Sequence, residues 1–491
     1  MAATAVVSPR VSAPWSGKLF SNGWRKGSAG VLDVVEPATG EILLSVGAAS
    51  PEDVHTAAGI AASAQPAWAA LPARERAELF RKTAKVFERD GEQMAQVIAR
   101  ETGGSLTKAR FEVQEATAIL YYASSMPLAT QGYVLPSQPG RMSFARRVPM
   151  GVVGVISPFN FPLLLAMRSL APALAAGNAV ILKPDPQTPA TGGMFLASAF
   201  EEAGLPAGVL HVLPGGADVG EALCTHPLVN MIAFTGSTPA GRKVGEVCGR
   251  HLKKVALELG GKNPLIVMED ADLAVAASNA AWGAYLHQGQ ICMATGKILA
   301  HASIAAKLTE LLVEKANHLP VGNPATEPAA LGPVINKRQR DRVHAIVQDS
   351  LDKGARLEAG GTFRDLFYAP TVLSDVRPGM RAFEEEIFGP VAVVVPFTSD
   401  DEAVALANQT EFGLSAAVIG KDVGRAMAVG QRLKSGLLHI NDQTVSDEGI
   451  NPFGGRGSSG NGTALGGPAD WEEYTQWQWV TVQNDAPTYP F

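Results

Sequence analysis

Residues 151–160 read Gly151-Val152-Val153-Gly154-Val155-Ile156-Ser157-Pro158-Phe159-Asn160, an apolar run that ends in a polar turn. The run predicts a buried strand, and the apolar residues at 163–175 predict a helix behind it. Strands separated by single helices predict a parallel, doubly wound sheet, with ligands at the carboxyl ends of its strands. The alternation continues to residue 259, with predicted strands at 179–182, 209–213, 231–234 and 255–259 and predicted helices at 191–203, from 219, and at 240–251.

Further segments surround this sheet. Residues 73–100 carry apolar side chains at helical spacing and predict a long helix. Residues 131–148, and residues 477–482 within the tail at 471–491, are predicted to be extended. These two remote segments can pair into a small separate sheet, whose edge offers a place for another subunit. A second α/β region runs from Asn263 to about Asn441, with predicted strands near 264–268, 391–396 and 416–419.

The composition argues against several classes of protein. The chain has 491 residues, 46% hydrophobic and 18% charged, and a net charge of −6, which is typical of a globular protein without a nucleic-acid-binding surface. Three cysteines are too few for a disulfide framework and fit no zinc site, so no metal is expected. Cys224 and Cys248 are predicted to be small buried residues.

Two observations concern membranes and targeting. The apolar window at 161–182 contains Arg168, prolines and a glycine, so it predicts a buried helix and strand rather than a membrane span. Residues 1–10 lack the pattern of a secretory signal, so a reducing cytosol is the expected compartment.

Cys292 is the candidate nucleophile. Gly289 and Gly296 flank it and predict an irregular backbone that can approach a ligand. Glu258 ends an apolar strand, where an unpaired carboxylate is costly to bury. A thiol that attacks a carbonyl and a carboxylate that activates water indicate covalent catalysis in two stages. A structural cysteine, and an ion pair between Glu258 and Lys262, remain alternatives.

Other polar positions lie near the same sheet edge. Asn160 can donate its amide to a developing oxyanion, or bond its own turn. Lys183 can reach the ribose of a nucleotide, or be an exposed loop lysine. Residues 234–241 join a strand to a helix and can hold a phosphate, or form a plain capped turn. Residues 455–460 match Gly-x-Gly-x-x-Gly, but no strand precedes them and no apolar helix follows, so no phosphate site is predicted there.

From about residue 30 to the C-terminus, the order of motifs resembles the NAD(P)-dependent aldehyde dehydrogenase superfamily. The motifs are Pro158-Phe159-Asn160-Phe161-Pro162, Phe234-Thr235-Gly236-Ser237-Thr238, Glu258-Leu259-Gly260-Gly261-Lys262, Gly289-Gln290-Ile291-Cys292, Glu386-Ile387-Phe388-Gly389-Pro390 and Pro452-Phe453-Gly454-Gly455. The chain is most similar to the benzaldehyde and vanillin dehydrogenase branch, through Arg141-Met142, Lys183-Pro184-Asp185, residues 211–220, 287–290 and 439–443, and the ending Tyr489-Pro490-Phe491.

The resemblance implies an architecture. It consists of two doubly wound parallel-sheet domains and a small β extension for oligomerisation. The implied cofactor-binding domain covers residues 1–130 and 149–259, the catalytic domain covers 260–470, and the oligomerisation extension covers 131–148 and 471–491. A homodimer or homotetramer is expected, with a small aldehyde as the binding partner and with neither nucleic acid nor membrane.

The resemblance also implies roles for individual residues. Cys292 matches the nucleophile and Glu258 the general base, while Asn160 and the Cys292 N–H match the oxyanion hole. Apolar residues at five positions are either the walls of a substrate pocket or core residues: Phe161, Leu165, Ile291, Met293 and Phe453. The implied cofactor-binding residues are Ile156, Ser157, Pro158, Phe159, Lys183, Pro184, Asp185, Pro186, Gly216, Gly220, Phe234, Thr235, Gly236, Ser237, Gly241, Leu259, Gly260, Glu386 and Phe388.

The implied reaction oxidises an aldehyde to a carboxylic acid. Cys292 adds to the aldehyde, a hydride leaves to the nicotinamide, and Glu258 activates the water that hydrolyses the thioester. A Cys292 thiolate near neutral pH requires electropositive surroundings, which are therefore expected around this residue. Aromatic aldehydes are favoured by the branch resembled, with aliphatic aldehydes or semialdehydes as the alternative. A CoA-acylating dehydrogenase, a thiol esterase and a non-catalytic relative are the other hypotheses; the presence of both Cys292 and Glu258 disfavours the first and last.

Two departures from the family pattern concern the cofactor site. Phe159 stands where many members carry tryptophan, which keeps an aromatic ring. Pro186 stands where many NAD-selective members carry a glutamate, whose carboxylate would bond the ribose hydroxyls and repel a 2′-phosphate. The sequence therefore predicts NAD as the cofactor and leaves acceptance of NADP open.

Overall fold

The computed structural model describes residue 13 and residues 15–491. The expectation of a missing secretory signal at residues 1–10 lies outside the described residues, as does the start of the implied cofactor-binding domain. The described residues form two seven-stranded sheets, one three-stranded sheet and several two-stranded ribbons, with helices packed between them.

Long helices dominate the N-terminal region. The helix predicted at 73–100 is confirmed at Ala73–Thr102, where Phe87, Met94 and Ile98 are buried at helical spacing. In chain order the elements are β1 (Leu19–Ser21), β2 (Trp24–Arg25), β3 (Val31–Val35), β4 (Ile42–Gly47), α1 (Pro51–Ala70), α2 (Ala73–Thr102), α3 (Leu106–Ser125), a 3-10 helix (Met126–Leu128), β5 (Gly132–Val134) and β6 (Arg141–Pro149).

The alternation predicted between residues 151 and 259 is confirmed. The helix predicted at 191–203 differs at its start, where Ala190–Met194 forms a π-helical turn. The elements are β7 (Val152–Ile156), α4 (Pro162–Ala175), β8 (Ala179–Lys183), α5 (Phe195–Ala203), β9 (Leu210–Val212), α6 (Ala217–Thr225), β10 (Met231–Thr235), α7 (Thr238–Arg250) and β11 (Lys254–Glu258).

The first sheet has the strand order β11-β10-β7-β8-β9-β1-β2. Strands β7 to β11 are parallel, whereas β1 and β2 add an antiparallel edge. The chain moves from β7 through β8 to β9 and then returns to β10 on the other side of β7. This reversal creates a crevice at the carboxyl ends of β7 and β10, which is where such sheets bind ligands.

A second large sheet follows, with the order β14-β17-β18-β13-β12-β20-β21. Its strands are parallel except for β14, which pairs antiparallel with β17. The elements are β12 (Asn263–Val267), α8 (Leu273–Tyr285), a 3-10 helix (Leu286–Gly289), β13 (Thr295–His301), α9 (Ala302–His318), α10 (Lys337–Asp352), β14 (Arg356–Ala359), β15 (Phe363–Arg364), β16 (Phe367–Tyr368), β17 (Thr371–Ser374), α11 (Arg381–Glu384), β18 (Val391–Phe397), α12 (Asp400–Asn408), β19 (Phe412–Gly413), β20 (Ser415–Ile419), α13 (Val423–Gly430) and β21 (Leu437–Ile440).

The tail returns to the middle of the chain. It contains β22 (Arg456–Gly457), α14 (Ala469–Tyr474) and β23 (Thr475–Gln483). Strand β23 pairs antiparallel with β6 along its whole length, from Thr475 opposite Pro149 to Gln483 opposite Arg141, and β5 pairs with the other side of β6. The predicted pairing of these two remote segments is confirmed. None of the helices in the described part of the chain combines the length and apolar character needed to cross a membrane.

Candidate active site

Cys292 lies in a tight turn between the second 3-10 helix and β13, and its side chain is half-buried. Gly289 enters this turn with a φ of 67°, and a Cβ there would stand 2.2 Å from the carbonyl oxygen of Gly389, so a glycine is required. The Asn263 side chain donates hydrogen bonds to the carbonyl oxygens of Cys292 (2.8 Å) and Ala294 (2.9 Å). The predicted irregular backbone is therefore present and is anchored from the start of β12.

Asn160 follows β7 and is buried. Its Nδ2 donates a 2.9 Å hydrogen bond to the carbonyl oxygen of Gln290, two residues before Cys292. This contact contradicts the alternative that Asn160 bonds only its own turn. The carboxyl end of β7 is thereby tied to the turn that carries the thiol, with an amide donor beside it.

Glu258 is the last residue of β11 and is buried. Among the described residues, neither of its oxygens has a hydrogen-bond partner within bonding distance, so the alternative of an ion pair with Lys262 is wrong. Burial raises the pKa of Glu258 well above its ordinary value, and the charge of Arg168 and a facing N–H of Gly455 oppose this rise. A carboxyl group in this setting suits proton transfer near neutral pH.

The electropositive surroundings expected for Cys292 are not present. Burial raises the pKa of the thiol to about 12, with smaller contributions in the same direction from Glu386, Asp447 and Glu258 and an opposing one from Arg168. Three carboxylates and one guanidinium therefore act on the sulfur, and the balance favours the protonated thiol.

A cleft of about 1380 Å³ opens at the switch point of the first sheet and extends to Cys292. Its floor is made by the carboxyl ends of β7, β8 and β10, and its far wall by residues of the second α/β region. Phe159 and Phe388, one from each region, meet edge to face with centroids 5.9 Å apart. Most of the sequence-predicted residues line this cleft: Ile156, Ser157, Pro158, Phe159, Asn160, Leu165, Lys183, Asp185, Pro186, Gly216, Gly220, Phe234, Thr235, Gly236, Ser237, Leu259, Gly260, Cys292, Glu386 and Phe388.

The donors in the cleft suit a phosphate. Helix α7 begins with Thr238, and its first residues line the cleft directly after Ser237. The Ser237 side chain makes no capping hydrogen bond to the helix, as far as the described residues go, so a plain capped turn does not account for it. The exposed N–H groups of a helix N-terminus bind anions.

The ribose-binding expectations involve two charged side chains. Lys183 is buried, which contradicts the alternative of an exposed loop lysine, and burial lowers its pKa. Glu386 accepts a 3.1 Å hydrogen bond from the Gly261 N–H, and burial raises its pKa to about 7. A Cβ on Gly260 would stand 2.6 Å from the Glu386 carboxylate, so only glycine leaves this carboxylate room beside the cleft. These residues fit a dinucleotide with ribose hydroxyls and a pyrophosphate.

Comparisons with known proteins agree with this geometry. The sequence profile described as "Aldehyde dehydrogenase family" matches residues 24–480. The chain belongs to the aldehyde dehydrogenase family. It is 52% identical to a vanillin dehydrogenase of an Amycolatopsis species and 49% identical to a benzaldehyde dehydrogenase [NAD(+)] of Pseudomonas putida, each time over 97% of this chain and 98% of the relative. A crystal structure of betaine aldehyde dehydrogenase from Staphylococcus aureus in complex with NAD+ matches with a TM-score of 0.94 at 30% identity, over 97% of both chains.

Some predicted residues of this aldehyde dehydrogenase lie elsewhere. Pro184, Gly241 and the predicted general base Glu258 are not among the residues found to line the cleft in the described part of the chain. Leu165 lines the cleft, whereas the other four predicted substrate-pocket residues are buried in the core cluster against which Cys292 packs: Phe161, Ile291, Met293 and Phe453. In the segment 455–460, Arg456–Gly457 forms strand β22 and pairs with β19, so this match to the dinucleotide pattern is not a strand–helix phosphate turn.

Several residues of the cleft were not predicted. Helix α10, far along the chain, contributes Arg338, Gln339 and Arg342 to the wall. Gln339 donates a 2.8 Å hydrogen bond to the carbonyl oxygen of Phe388, so this helix also holds the Glu386–Phe388 segment. Cys224 is buried, as predicted, and also lines the cleft. In the sequence, α10 begins with a basic run. Such a run is also typical of a solvated helix, so it does not identify the wall of a cleft.

The described residues contain no cluster of three or more His, Cys, Asp or Glu side chains arranged to hold a metal ion.

Proposed function

We propose that this aldehyde dehydrogenase oxidises aromatic aldehydes of the benzaldehyde or vanillin type to carboxylic acids, with NAD⁺ or NADP⁺ as oxidant. The relatives at 52% and 49% identity support the substrate class, since their names state vanillin and benzaldehyde as substrates. One observation carries the chemistry: a half-buried thiol ends the cleft, with the Asn160 amide tied to its turn and the unpaired carboxyl of Glu258 close enough to shift its pKa.

The nucleophilic step uses Cys292 and Asn160. Cys292 Sγ forms a bond to the carbonyl carbon and loses its proton to a neighbouring base. Asn160 Nδ2 and the Cys292 N–H donate hydrogen bonds to the resulting oxyanion, and one such donor contributes roughly 3–4 kcal/mol at comparable sites. A nicotinamide dinucleotide, when bound, supplies the acceptor for the hydride that leaves the same carbon.

Glu258 acts in the hydrolytic step. Its carboxylate takes a proton from water, and the hydroxide that forms attacks the thioester carbon. The carbon–sulfur bond then breaks, which releases the carboxylic acid and returns Cys292. The raised pKa of Glu258 suits this task, because its carboxylate is then a stronger base than that of an ordinary glutamate.

The cofactor would be held by residues of the first sheet and by one segment of the second. The N-terminus of α7 with Ser237 would bind the pyrophosphate, Lys183 one ribose and Glu386 the other. The buried hydroxyl of Ser157, which has no hydrogen-bond partner among the described residues, offers a further polar contact. The cleft lining supports these assignments. We also propose that Phe161, Leu165, Ile291, Met293 and Phe453 form the wall for the aromatic ring. Leu165 lines the cleft, and the other four residues lie in the core cluster against which Cys292 packs.

Domain, assembly and compartment assignments belong to the same proposal. We assign cofactor binding to residues 1–130 and 149–259, catalysis to 260–470 and oligomerisation to 131–148 and 471–491. The exposed aromatic side chains of the three-stranded sheet support a homo-oligomer. Three free cysteines within residues 15–491 support a reducing, cytoplasmic compartment.

An aldehyde panel tests the function. Benzaldehyde and vanillin are offered beside an aliphatic aldehyde and a semialdehyde, with each nicotinamide cofactor, and reduced cofactor is followed by its absorbance. The aromatic aldehydes should give the highest kcat/KM. Cys292→Ala should abolish formation of reduced cofactor and leave cofactor binding intact, whereas Cys224→Ala, on helix α6 of the same cleft, should retain the reaction.

Three results would contradict the proposal. A higher kcat/KM for the aliphatic aldehyde or the semialdehyde would assign a different substrate class. Hydrolysis of an ester by a chain that forms no reduced cofactor with any aldehyde of the panel would indicate a thiol esterase. Undiminished turnover in Cys292→Ala would remove the nucleophile.

A further inference from the structure

A buried ion pair lies on helix α3, an element that contributes none of the residues assigned so far. Lys108 and Glu112 are one helical turn apart, and the Lys108 Nζ and Glu112 Oε2 atoms are 2.5 Å apart. Both side chains are almost fully buried. Burial of two charges is expensive, and an apolar pair of the same size would often stabilise the fold as well or better. The stability of the fold alone therefore does not account for this pair.

Lys108 also binds the catalytic turn. Its Nζ donates a 2.7 Å hydrogen bond to the carbonyl oxygen of Asn160 and lies 4.1 Å from the centroid of the Phe161 ring. Asn160 thus has two anchors: its carbonyl oxygen is held by α3, and its side-chain amide is held by the Gln290 carbonyl beside Cys292. An apolar side chain at position 108 could fill the same space, but it could not donate a hydrogen bond to the Asn160 carbonyl oxygen.

Glu112 binds the other end of the same turn. Its Oε1 accepts hydrogen bonds from the N–H groups of Leu163 (2.8 Å) and Leu164 (3.2 Å), in the first turn of α4. No side chain caps α4 from its own N-cap position, Phe161, within the part of the chain that the structure describes. Glu112 therefore supplies the acceptor and the negative charge that a helix N-terminus requires.

We propose that Lys108 and Glu112 are positioning residues for the oxyanion hole of this enzyme. The pair fixes the backbone on both sides of Phe161, so that the Asn160 amide stays within hydrogen-bonding reach of an oxyanion formed at Cys292. The inference rests on the proposed function, which assigns that role to Asn160. A displacement of about 1 Å at a reacting centre is enough to lower a rate by about a hundredfold.

The test is a double-mutant cycle. Lys108→Met and Lys108→Met/Glu112→Gln are made in the native chain and in Asn160→Ala. The double replacement leaves no lone buried charge, so it keeps the test available if Lys108→Met folds poorly. Arg100→Met is the matched control, because Arg100 forms another buried ion pair, 2.7 Å from Glu36, on the neighbouring helix α2. Cofactor affinity and thermal unfolding are measured for every variant.

The cycle is read in two reactions. Aldehyde oxidation with saturating cofactor is one, and hydrolysis of an activated aromatic ester without cofactor is the other, since an ester also forms an oxyanion at Cys292. We expect kcat to fall about ten- to a hundredfold in both reactions, with the KM for aldehyde and the Kd for cofactor changed less than about twofold. In Asn160→Ala the same replacements should cause no further fall, whereas Arg100→Met should change thermal stability alone.

Two outcomes would overturn the inference. Undiminished kcat in folded Lys108→Met or in the double replacement would show that catalysis does not depend on the positioning of Asn160 by this pair. A full additional fall in the Asn160→Ala background would show that the pair acts on something other than Asn160. If the native chain oxidises no aldehyde, the proposed function fails, and the ester reaction still decides whether the pair acts through Asn160.

Discussion

At Cys292, burial and neighbouring charge oppose the ionisation that nucleophilic attack requires. A thiol with a pKa of about 12 is almost entirely protonated near neutral pH. The proton must therefore leave the sulfur as the sulfur–carbon bond forms. Burial also raises the pKa of the nearby carboxyl of Glu258, whose proposed role is the later hydrolysis. Arg168 limits both shifts, since its charge lowers the pKa of each group.

Replacement of Glu258 by glutamine should separate the two stages of the reaction. The amide keeps the volume and cannot take a proton from water, and loss of a general base typically costs a factor of about 10²–10⁴. The rate of thioester hydrolysis should fall by that factor, whereas the rate at which reduced cofactor forms should fall less. Rapid mixing should then show a burst of about one reduced cofactor per active site, followed by a slow phase.

The same variant tests the pH dependence. Because Glu258 must be deprotonated to act as a base, and its pKa is raised, hydrolysis in the native enzyme should increase as pH rises through a range above that of an ordinary glutamate. Glu258→Gln should lose this rise. Glu101→Gln is the control, because Glu101 is also buried with a pKa raised to about 7, yet its oxygens accept N–H groups of Ala190 and Thr191 away from the cleft. Equal slowing of both stages would contradict the assigned role.

At the scale of elements, the pattern of apolar residues was sufficient to predict the positions of the central strands. Strand β7 matches the prediction at Val152–Ile156, and β8 and β10 extend theirs by one residue, because strands buried on both faces are continuous apolar runs. Strand β1, next to the edge strand β2, and the edge strand β14 are antiparallel, whereas parallel sheets were expected. Strands β1 and β14 have only 3 and 4 residues, so their sequences carry no comparable signal.

The candidate site was predictable where a motif and a strand end coincide. The turns after β7 and β10 and the end of β11 fall in this class, and their residues reach the cleft or the thiol. Lys108, Glu112 and helix α10 reach the same site through tertiary packing. An i, i+4 lysine–glutamate pair such as Lys108–Glu112 most often lies on a solvated helix surface, so its burial could not be inferred from spacing alone.

The turn after β8 gives a prediction about cofactor choice. Pro186 is half-buried and lines the cleft near Lys183. Glutamate at this position would accept hydrogen bonds from ribose hydroxyls and repel a 2′-phosphate. Pro186→Glu should therefore lower kcat/KM for NADP⁺ by at least about tenfold relative to NAD⁺, which corresponds to about 1.4 kcal/mol. Steady-state kinetics with both cofactors measures the ratio.

Pro186→Ala is the matched control for this change. It removes the proline ring without adding a charge, so the ratio for the two cofactors should stay within about twofold of the native value. If Pro186→Glu altered kcat/KM equally for NAD⁺ and NADP⁺, the residue would not face the 2′ position of the ribose, and the assignment of Lys183 to the same ribose would lose its support.

At the scale of the whole molecule, the two large sheets depend on each other for the site. The first sheet provides Asn160, Glu258 and the cleft floor, while the second provides the Cys292 turn. Hydrogen bonds cross between the two regions, as where the Asn160 side chain donates to the Gln290 carbonyl oxygen and the Leu259 N–H donates to the Ser459 carbonyl oxygen. The tail takes part as well, because the Tyr474 carbonyl oxygen accepts a hydrogen bond from Asn178, at the start of β8. Strand β23, which follows Tyr474 directly, is therefore joined through this hydrogen bond to the first sheet.

The last prediction concerns assembly through the three-stranded sheet. Tyr133, Trp477 and Trp479 lie on one of its faces, where Tyr133 stacks on Trp477 at 5.5 Å and Trp479 is 66% exposed. An aromatic patch of this kind on a sheet with free edges favours contact with a second copy. Trp479→Glu should convert the proposed oligomer to smaller species, measured by analytical ultracentrifugation. Leu252→Glu is the control, since Leu252 is 94% exposed in the loop after α7 and is not part of this sheet, so this change should leave the mass unchanged. An unchanged mass for Trp479→Glu would place the subunit contact on another surface.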